Sequence, residues 1–143
     1  MDFKKIPKLR IGDLEANIPI IQGGMGVGVS LSGLASAVAN EGGIGIIATA
    51  GIGMLEPDFN RNFKEANKRA LRREIKKARE MTTGIIGVNI MVALTDYSDL
   101  LQVAVDEDID LVFLGAGLPL KVPETLLPNG LRKVAVKVVP IVS

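Results

Sequence analysis

Residues 18–28 read Ile-Pro-Ile-Ile-Gln-Gly-Gly-Met-Gly-Val-Gly, an apolar run followed by a cluster of glycines. The apolar run 18–21 is typical of a short buried strand. The glycines after it allow a loop with backbone angles that other residues avoid. Ser30 is a candidate helix cap, and apolar residues then recur at helical spacing until Gly42-Gly43. Because residues 44–48 form another apolar run, the stretch predicts a strand, a glycine-rich loop, a helix and a second strand.

The same alternation continues to the end of the chain. Further apolar runs predict strands at residues 85–91, 109–114 and 134–142. Helical spacing predicts helices over residues 63–81, around residues 100–105 and, briefly, over residues 124–127. Apolar strands separated by amphipathic helices indicate a parallel sheet covered by helices. The sequence therefore predicts an α/β fold, either a doubly wound sheet or a (βα) barrel, and both bind ligands beyond the carboxyl ends of the strands.

The length and composition of the chain predict a single domain over residues 1–143. The 143 residues are 48% apolar, and 17 basic against 16 acidic side chains leave a net charge of +1. Such a balance gives no broad field for a phosphate backbone or an anionic membrane, so we expect a small-molecule substrate and neither nucleic acid nor membrane as partner. The N-terminus lacks an apolar signal core, and no run approaches the roughly 18 apolar residues of a membrane span, which predicts a cytoplasmic location.

The chain contains no Cys and no His. Thiol nucleophiles, thiolate metal sites and the commonest general base are therefore excluded, and we predict neither a catalytic residue nor a metal site within it. Residues 61–80 hold nine basic and three acidic side chains, and residues 96–110 hold six acids. Both groups fall on predicted helices, so we interpret them as solvated faces.

Three features converge on the predicted ligand edge: the glycine cluster, Asn89 and Gly115–Gly117. The glycines match neither the dinucleotide spacing nor the nucleotide-triphosphate loop, so a tight turn and a ligand cradle both remain open. Asn89 lies inside an apolar strand, where an unpaired amide costs about 1–3 kcal/mol. Its partner is therefore either a neighbouring backbone group or a ligand at the strand end.

Several segments, in order, resemble the nitronate monooxygenase family, formerly called 2-nitropropane dioxygenases. They are Pro19–Gly26, Ala37–Gly45, Gly87–Met91, Gly115–Gly117 and Val138–Ser143. Flavin-dependent enoyl-[acyl carrier protein] reductases are similar over much of the same pattern. The resemblance runs from about residue 9 to the last residue. It implies an FMN-binding TIM (βα)8 barrel, of which this chain would form an N-terminal half-barrel of about five parallel strands.

The resemblance also implies roles for individual residues. Flavin contacts would fall on Gly23, Gly24, Met25, Gly26 and Asn89, and the substrate-side wall on Gly115, Ala116 and Gly117. A lysine that some members place near the flavin matches Ile141 here, and Lys137, four residues earlier, does not replace it. The catalytic histidine of many members and the loops that hold the FMN phosphate would come from segments beyond residue 143.

Three functions stay open on this basis. The first is FMN-dependent oxidation of an alkyl nitronate by molecular oxygen, which gives a carbonyl compound and nitrite. The second is enoyl-[acyl carrier protein] reduction, in which a nicotinamide nucleotide supplies the electrons. The third belongs to another class: a non-catalytic half-barrel whose open sheet edges lead it to form a homo-oligomer.

Overall fold

The structure is a computed structural model and describes residues 6–117 and 136–141. The elements, in chain order, are β1 (Leu9–Ile11), β2 (Leu14–Ala16), α1 (Ser32–Asn40), β3 (Ile44–Ala48), α2 (Phe59–Met81), β4 (Ile85–Met91), α3 (Tyr97–Asp106), β5 (Leu111–Gly115) and β6 (Lys137–Pro140). The helix predicted over residues 124–127 and the outer residues of the strand predicted over 134–142 lie outside the described residues.

A parallel sheet with the strand order β3-β4-β5-β6 forms the centre of the fold. Neighbouring strands in the sheet are also consecutive along the chain, with α2 and α3 as the helical crossovers. A doubly wound sheet would reverse its strand order at a switch point, whereas a barrel adds each strand beside the previous one. The α/β prediction is therefore confirmed, with the order of a partial (βα) barrel.

The first predicted strand, residues 18–21, is only partly right. This segment pairs with the described part of the sheet through one isolated parallel β-bridge, between Ile21 and Ile44. The amide of Ile44 donates to the Ile20 carbonyl (2.9 Å), but the Ile20 amide turns back to the Ile18 carbonyl (2.8 Å). Because that amide is used within the segment, no regular ladder forms. The described parallel sheet therefore has four regular strands and this edge segment, whereas the sequence predicted about five parallel strands.

The sequence analysis missed a small antiparallel hairpin formed by β1 and β2. Its two-residue turn is Gly12-Asp13, with Gly12 at φ 62°, as in a type II′ turn. Apolar and polar residues alternate on both sides of this turn, which is a recognised hairpin signal. Ala16 and its neighbours pack against the face of the sheet that carries Ile44 and Leu111. The hairpin therefore covers the amino-terminal part of that face.

Side chains alternate between the two faces of the sheet and build two clusters of unequal size. The larger cluster lies between the sheet and the helices and includes Ile47, Ile86, Val88, Leu71 and Leu101. The smaller one lies on the opposite, inner face and comprises Ala16, Ile44, Ile46 and Leu111, with six partly buried neighbours including Phe113 and Val139. The inner face is thus only thinly filled, and the inward residues of β4 and β5 are available to a ligand site.

The charged segments are less solvated than predicted. On α2, Arg72 pairs with Glu107 (2.8 Å) and Arg79 with Asp110 (2.9 Å), so acids of the 96–110 segment neutralise part of the basic face. Asp96 is 2% exposed, and the solvated interpretation is wrong for it. None of the helices in the described ranges has the length and apolar character needed to cross a bilayer.

Gly45 tests how closely α1 lies on the sheet. A Cβ at Gly45 would lie 1.9 Å from the Ala35 carbonyl oxygen, whereas one at Gly33 meets nothing within 4 Å. Gly45→Ala should lower the free energy of unfolding by about 3 kcal/mol. The control Gly33→Ala, inside α1, should raise it by about 0.5–1 kcal/mol. Urea denaturation measures both, and equal effects would contradict the packing described.

Candidate ligand-binding rim

The carboxyl ends of the parallel strands and the loops that follow them form one end of the sheet, here called the rim. It comprises the glycine loop (residues 23–30), the loop of residues 49–58, residues 89–96 and Gly115–Gly117. Each part follows or ends a segment of the sheet, so the topology alone brings them to one edge.

Gln22 holds the glycine loop at its start. The Gln22 amide donates to the Ile44 carbonyl (3.0 Å), and its side chain then continues the pairing along β3. Nε2 donates to the Ile46 carbonyl (3.0 Å), while Oε1 accepts from the Ile46 amide (3.2 Å). The carboxamide thus replaces a peptide group of the missing strand neighbour and lets the main chain leave the sheet at Gly23.

Ser30 holds the other end of the same loop and is not a helix cap as predicted. Its hydroxyl accepts from the Met25 amide (3.0 Å) and donates to the Gly23 carbonyl (3.2 Å). The Ser30 carbonyl accepts from the Ala48 amide (2.9 Å), which ties the loop to the end of β3. At the start of α1, the Glu74 carboxylate on α2 accepts from the Ser32 amide (3.1 Å) and hydroxyl (2.6 Å). The role predicted for Ser30 therefore belongs to Glu74.

Asn89 and Gly24 lie in direct contact across 65 residues of sequence. Asn89 Nδ2 donates to the Gly24 carbonyl (3.3 Å). A Cβ at Gly24 would lie 2.6 Å from Asn89 Cβ and 3.1 Å from Ile46 Cγ2, so a side chain there would displace Asn89. The amide nitrogen thus has the backbone partner that the sequence analysis left open.

The other amide atom, Asn89 Oδ1, is buried and has no hydrogen-bond partner among the described residues. A buried polar atom without a partner costs about 1–3 kcal/mol. Native structures keep few such atoms, and those that persist call for an explanation such as a bound ligand. An N–H donor supplied by a ligand would satisfy Oδ1, so both alternatives proposed for Asn89 are compatible with one geometry.

The remaining residues of the glycine loop face outward. Met25 is 62% exposed, and a Cβ at Gly23 would meet no atom within 4 Å. Gly26 lies against the segment that follows β3, because a Cβ at Gly26 would be 3.0 Å from the Ala50 carbonyl oxygen. The loop therefore offers open backbone at Gly23 and an exposed thioether beside it.

Gly115–Gly117 lie on the same rim but not against the glycine loop. The Gly115 carbonyl accepts from the Val92 amide (2.8 Å), and Gly115 packs against Ile141. Ala116 has φ 53°, a left-handed conformation that side chains rarely adopt. These residues begin two positions beyond Phe113, which pairs with Asn89 across the ladder. They therefore extend the rim on the β6 side of Asn89.

Charge is concentrated away from the glycine loop and Gly115–Gly117. Lys137, at the amino end of β6, forms an ion pair with Asp13 in the hairpin turn, and this hydrogen bond lowers the pKa of the Asp13 carboxyl. Lys137 therefore belongs to the opposite end of the sheet. Across residues 6–117 and 136–141, no three acidic side chains come together in a way that could hold a metal ion. The described polar groups bonded to Asn89 are uncharged: its Nδ2 donates to the Gly24 carbonyl, and its own carbonyl accepts from the Thr49 amide (3.1 Å) and hydroxyl (3.0 Å).

Comparisons with known proteins agree with this architecture. The family model described as nitronate monooxygenase matches residues 8–117. The structure of FabK from Thermotoga maritima is similar with a TM-score of 0.65 and 34% sequence identity, over 87% of this chain and 34% of that one. No curated protein matches the chain.

Two further solved structures share the fold. Nitroalkane oxidase from Streptomyces ansochromogenes has a TM-score of 0.64 and 21% identity, over 87% of this chain and 40% of that one. An IMP dehydrogenase/GMP reductase-like protein from Corynebacterium glutamicum has a TM-score of 0.63 and 14% identity, over 95% and 42%. The chain therefore spans about a third to two fifths of the length of these structures.

Ser30 provides a test of how the glycine loop is held. Ser30→Ala removes the hydroxyl that bonds Met25 and Gly23, so the free energy of unfolding should fall by about 1–2 kcal/mol. Hydrogen exchange of the Met25 amide should accelerate, because that amide loses its acceptor. Ser30→Thr keeps the hydroxyl and serves as the control. Unchanged exchange at Met25 in the alanine variant would contradict the bonding described.

Proposed function

Because the chain belongs to the nitronate monooxygenase family of oxidoreductases, we propose that its rim binds the ring system of FMN. The observation that carries the proposal is the buried, unpartnered Oδ1 of Asn89 beside a strand end that offers open backbone. The pyrimidine side of a flavin ring carries an imide N–H, which is the donor that this acceptor lacks.

The shape and polarity of the rim support a flat aromatic ligand. Gly23 leaves room where a side chain would stand, and Met25 and Met91 are exposed apolar side chains that a ring can cover. Gly24 cannot carry a side chain without displacing Asn89, so the glycine keeps the amide in place. The proposed flavin contacts are those that the family resemblance implies, Gly23, Gly24, Met25, Gly26 and Asn89, and the geometry at Gly23, Gly24, Met25 and Asn89 supports them.

A flavin, when bound, supplies the redox chemistry, while the protein supplies binding and orientation. In this chain Asn89 would orient the ring through its amide, and Ser30 and Gln22 would keep the glycine loop at a fixed height above β3. Gly115, Ala116 and Gly117 would form the substrate-side wall. Among the described residues, the groups bonded to Asn89 are the Gly24 carbonyl and the amide and hydroxyl of Thr49, none of which is an acid or a base near neutral pH, so proton transfer would fall to the substrate or to other groups.

The substrate proposed first is an alkyl nitronate, which molecular oxygen would convert into a carbonyl compound and nitrite. The match to the nitronate monooxygenase family over residues 8–117 supports it. The second candidate is reduction of an enoyl-[acyl carrier protein] with electrons from a nicotinamide nucleotide, supported by the 34% identity to FabK. Release of nitrite from an alkyl nitronate in air would support the first function. Oxidation of NADH or NADPH that depends on an enoyl thioester would support the second.

Two variants test whether the flavin lies on the rim. Asn89→Leu removes the unpartnered acceptor, which is stabilising, and also the Nδ2 bond to the Gly24 carbonyl, which is destabilising. Because the two effects oppose each other, stability should change by less than about 1 kcal/mol while the Kd for FMN rises at least tenfold, about 1.4 kcal/mol. Gly23→Ala should leave stability unchanged and also raise the Kd, because its methyl group would occupy the space of the ring. Titration of the 143-residue chain with FMN, followed by flavin fluorescence, measures both.

Gly33→Ala is the matched control for Gly23→Ala. Both glycines have open space at the Cβ position, but Gly33 lies in α1, outside the rim. Its Kd for FMN should equal that of the unmodified chain. Equal affinities for the Asn89 and Gly23 variants and the control, or no FMN binding by the unmodified chain, would refute the proposal.

The non-catalytic alternative, a self-associating half-barrel, rests on the edges of the sheet. Along residues 18–22, Ile18 bonds to Gly42, just before β3, and the Ile20 carbonyl and Gln22 amide bond to Ile44 in β3. The backbone groups of Pro19 and Ile21 therefore face outward. Along β6 the amides of Lys137 and Ile141 bond toward β5, so the groups of Val138 and Pro140 face outward. Within the described residues, each edge thus presents one outward-facing amide position and one proline, which lacks an amide hydrogen.

These edges predict weak, concentration-dependent association of the 143-residue chain. Light scattering coupled to gel filtration should show the mean mass rising with protein concentration. Ile20→Lys places a charge beside the edge and should return the mean mass toward that of one chain. Leu55→Lys, on the rim and 92% exposed before substitution, is the control. A constant mass of one chain at all concentrations would contradict the prediction.

A further inference from the structure

We propose that Asn67 is a positioning residue for the rim: its buried carboxamide joins the loop of residues 49–58 to the start of α3 and so fixes the glycine loop. This inference rests on the proposed function, because its consequence for activity passes through the flavin site. Asn67 lies on α2, and no part of its side chain reaches Asn89 or the glycine loop directly.

The carboxamide of Asn67 makes two buried hydrogen bonds. Oδ1 accepts from the Gly53 amide (2.8 Å), and Nδ2 donates to Asp96 Oδ2 (2.8 Å). Asn67 is 5% exposed and Asp96 2%. Asn67 is flanked on the buried stripe of α2 by Ala66, Ala70 and Leu71, where an amide is otherwise out of place. The polar side chain therefore serves these two bonds.

The loop has little freedom where Asn67 holds it. A Cβ at Gly53 would lie 2.6 Å from both the Ala66 carbonyl carbon and the Asn67 nitrogen, so the loop lies directly on the backbone of α2. Asp96 is the residue immediately before α3, at the end of the loop that leaves β4. One carboxamide thus links the loops after β3 and β4 to the same helix.

The held loop in turn supports the glycine loop. At Gly51, a Cβ would lie 3.0 Å from both Met54 Sδ and Val27 Cγ2, so these side chains meet over Gly51. Gly26 approaches the Ala50 carbonyl in the same region. Gly51 is joined to the held segment, because its carbonyl accepts from the Met54 amide (3.0 Å). A shift of Gly53 would therefore move Gly51 and Ala50, and with them Val27 and Gly26, which lie directly against these two residues. Since Met54 and Val27 are 53% and 52% exposed, the coupling runs through these local contacts and not through the packed interior.

The chemistry of the two bonds explains why the residue is an amide. It must donate to a carboxylate and accept from a peptide N–H at once, which Asn does. An Asp in its place could do both only while protonated. Two carboxylates so close would share a proton, because the second charge is disfavoured. Asn67→Asp should therefore recover the native arrangement as the pH falls.

The experiment compares Asn67→Leu and Asn67→Asp with Ser32→Ala in the 143-residue chain. Ser32→Ala removes a buried bond between α1 and α2 without touching the loop of residues 49–58. We expect Asn67→Leu to raise the Kd for FMN about tenfold, and Ser32→Ala to leave it unchanged at a comparable loss of stability. For Asn67→Asp, the Kd should fall toward the native value as the pH is lowered, because only a protonated carboxyl can both donate to Asp96 and accept from the Gly53 amide.

Hydrogen exchange keeps the inference testable without a flavin. Asn67→Leu should accelerate exchange at the amides of both Gly53, which loses its acceptor, and Met25, which donates to the Ser30 hydroxyl within the glycine loop. Asn67→Asp should do so at high pH and not at low pH. Acceleration at Gly53 alone, or a Kd that tracks stability equally in the Asn67 and Ser32 variants, would overturn the inference. If the unmodified chain binds no FMN, the proposed function fails, and Met25 exchange alone decides the role of Asn67.

Discussion

The structure depends on how the hydrogen bonds along the first edge of β3 are completed where the chain leaves the sheet. Buried peptide groups must be paired, and residues 18–22 pair only as far as Ile44. Beyond that point the Gln22 carboxamide serves both groups of Ile46, and the Ser30 carbonyl serves the amide of Ala48. The glycine loop is the chain between these two residues. Its position above the strand end is therefore a consequence of sheet pairing.

The same requirement separates a structural end of the sheet from a binding end. At the amino end, the β1–β2 hairpin fills the inner face and Lys137 reaches the turn, so polar groups are paired within the chain. At the carboxyl end, Asn89 uses one amide atom for Gly24 and leaves the other unsatisfied. Among residues 6–117 and 136–141, this is the one buried side-chain nitrogen or oxygen without a hydrogen-bond partner, and it lies at the rim, where binding rather than folding would satisfy it.

Much of the architecture was readable from the sequence because its signals are local. Periodicity predicted α2 and the strands from β3 to β5 to within a few residues, and apolar strands between helices predicted the parallel sheet. The segment at residues 18–21 was harder, because the same residues are compatible with a strand and with an edge that bonds to itself at Ile20. The hairpin at Gly12-Asp13 carried a usable signal that the analysis missed.

The resemblance predicted flavin contacts at Gly24 and Asn89, and this stays a prediction; the structure adds that the two residues contact each other. The supporting roles of Gln22, Ser30 and Asn67 were missed because their partners include peptide groups distant in sequence. A lone amide in the apolar stripe of α2 was the one local sign of Asn67. Ser30 shows the reverse case: a serine before a helix suggested a cap, but Glu74 performs that task from another helix.

Pro19 and Pro140 give the two edges of the sheet a property that reaches beyond the single molecule. An incoming strand finds on either side an interrupted row of donors, so each added chain would gain fewer bonds than a regular cross-β stack provides. Growth of fibrils by successive edge addition is thereby disfavoured, even though apolar side chains such as Ile20 lie in the open beside the edge. A sheet that ends in proline on both sides tolerates exposed edges at concentrations where an uninterrupted one would nucleate amyloid.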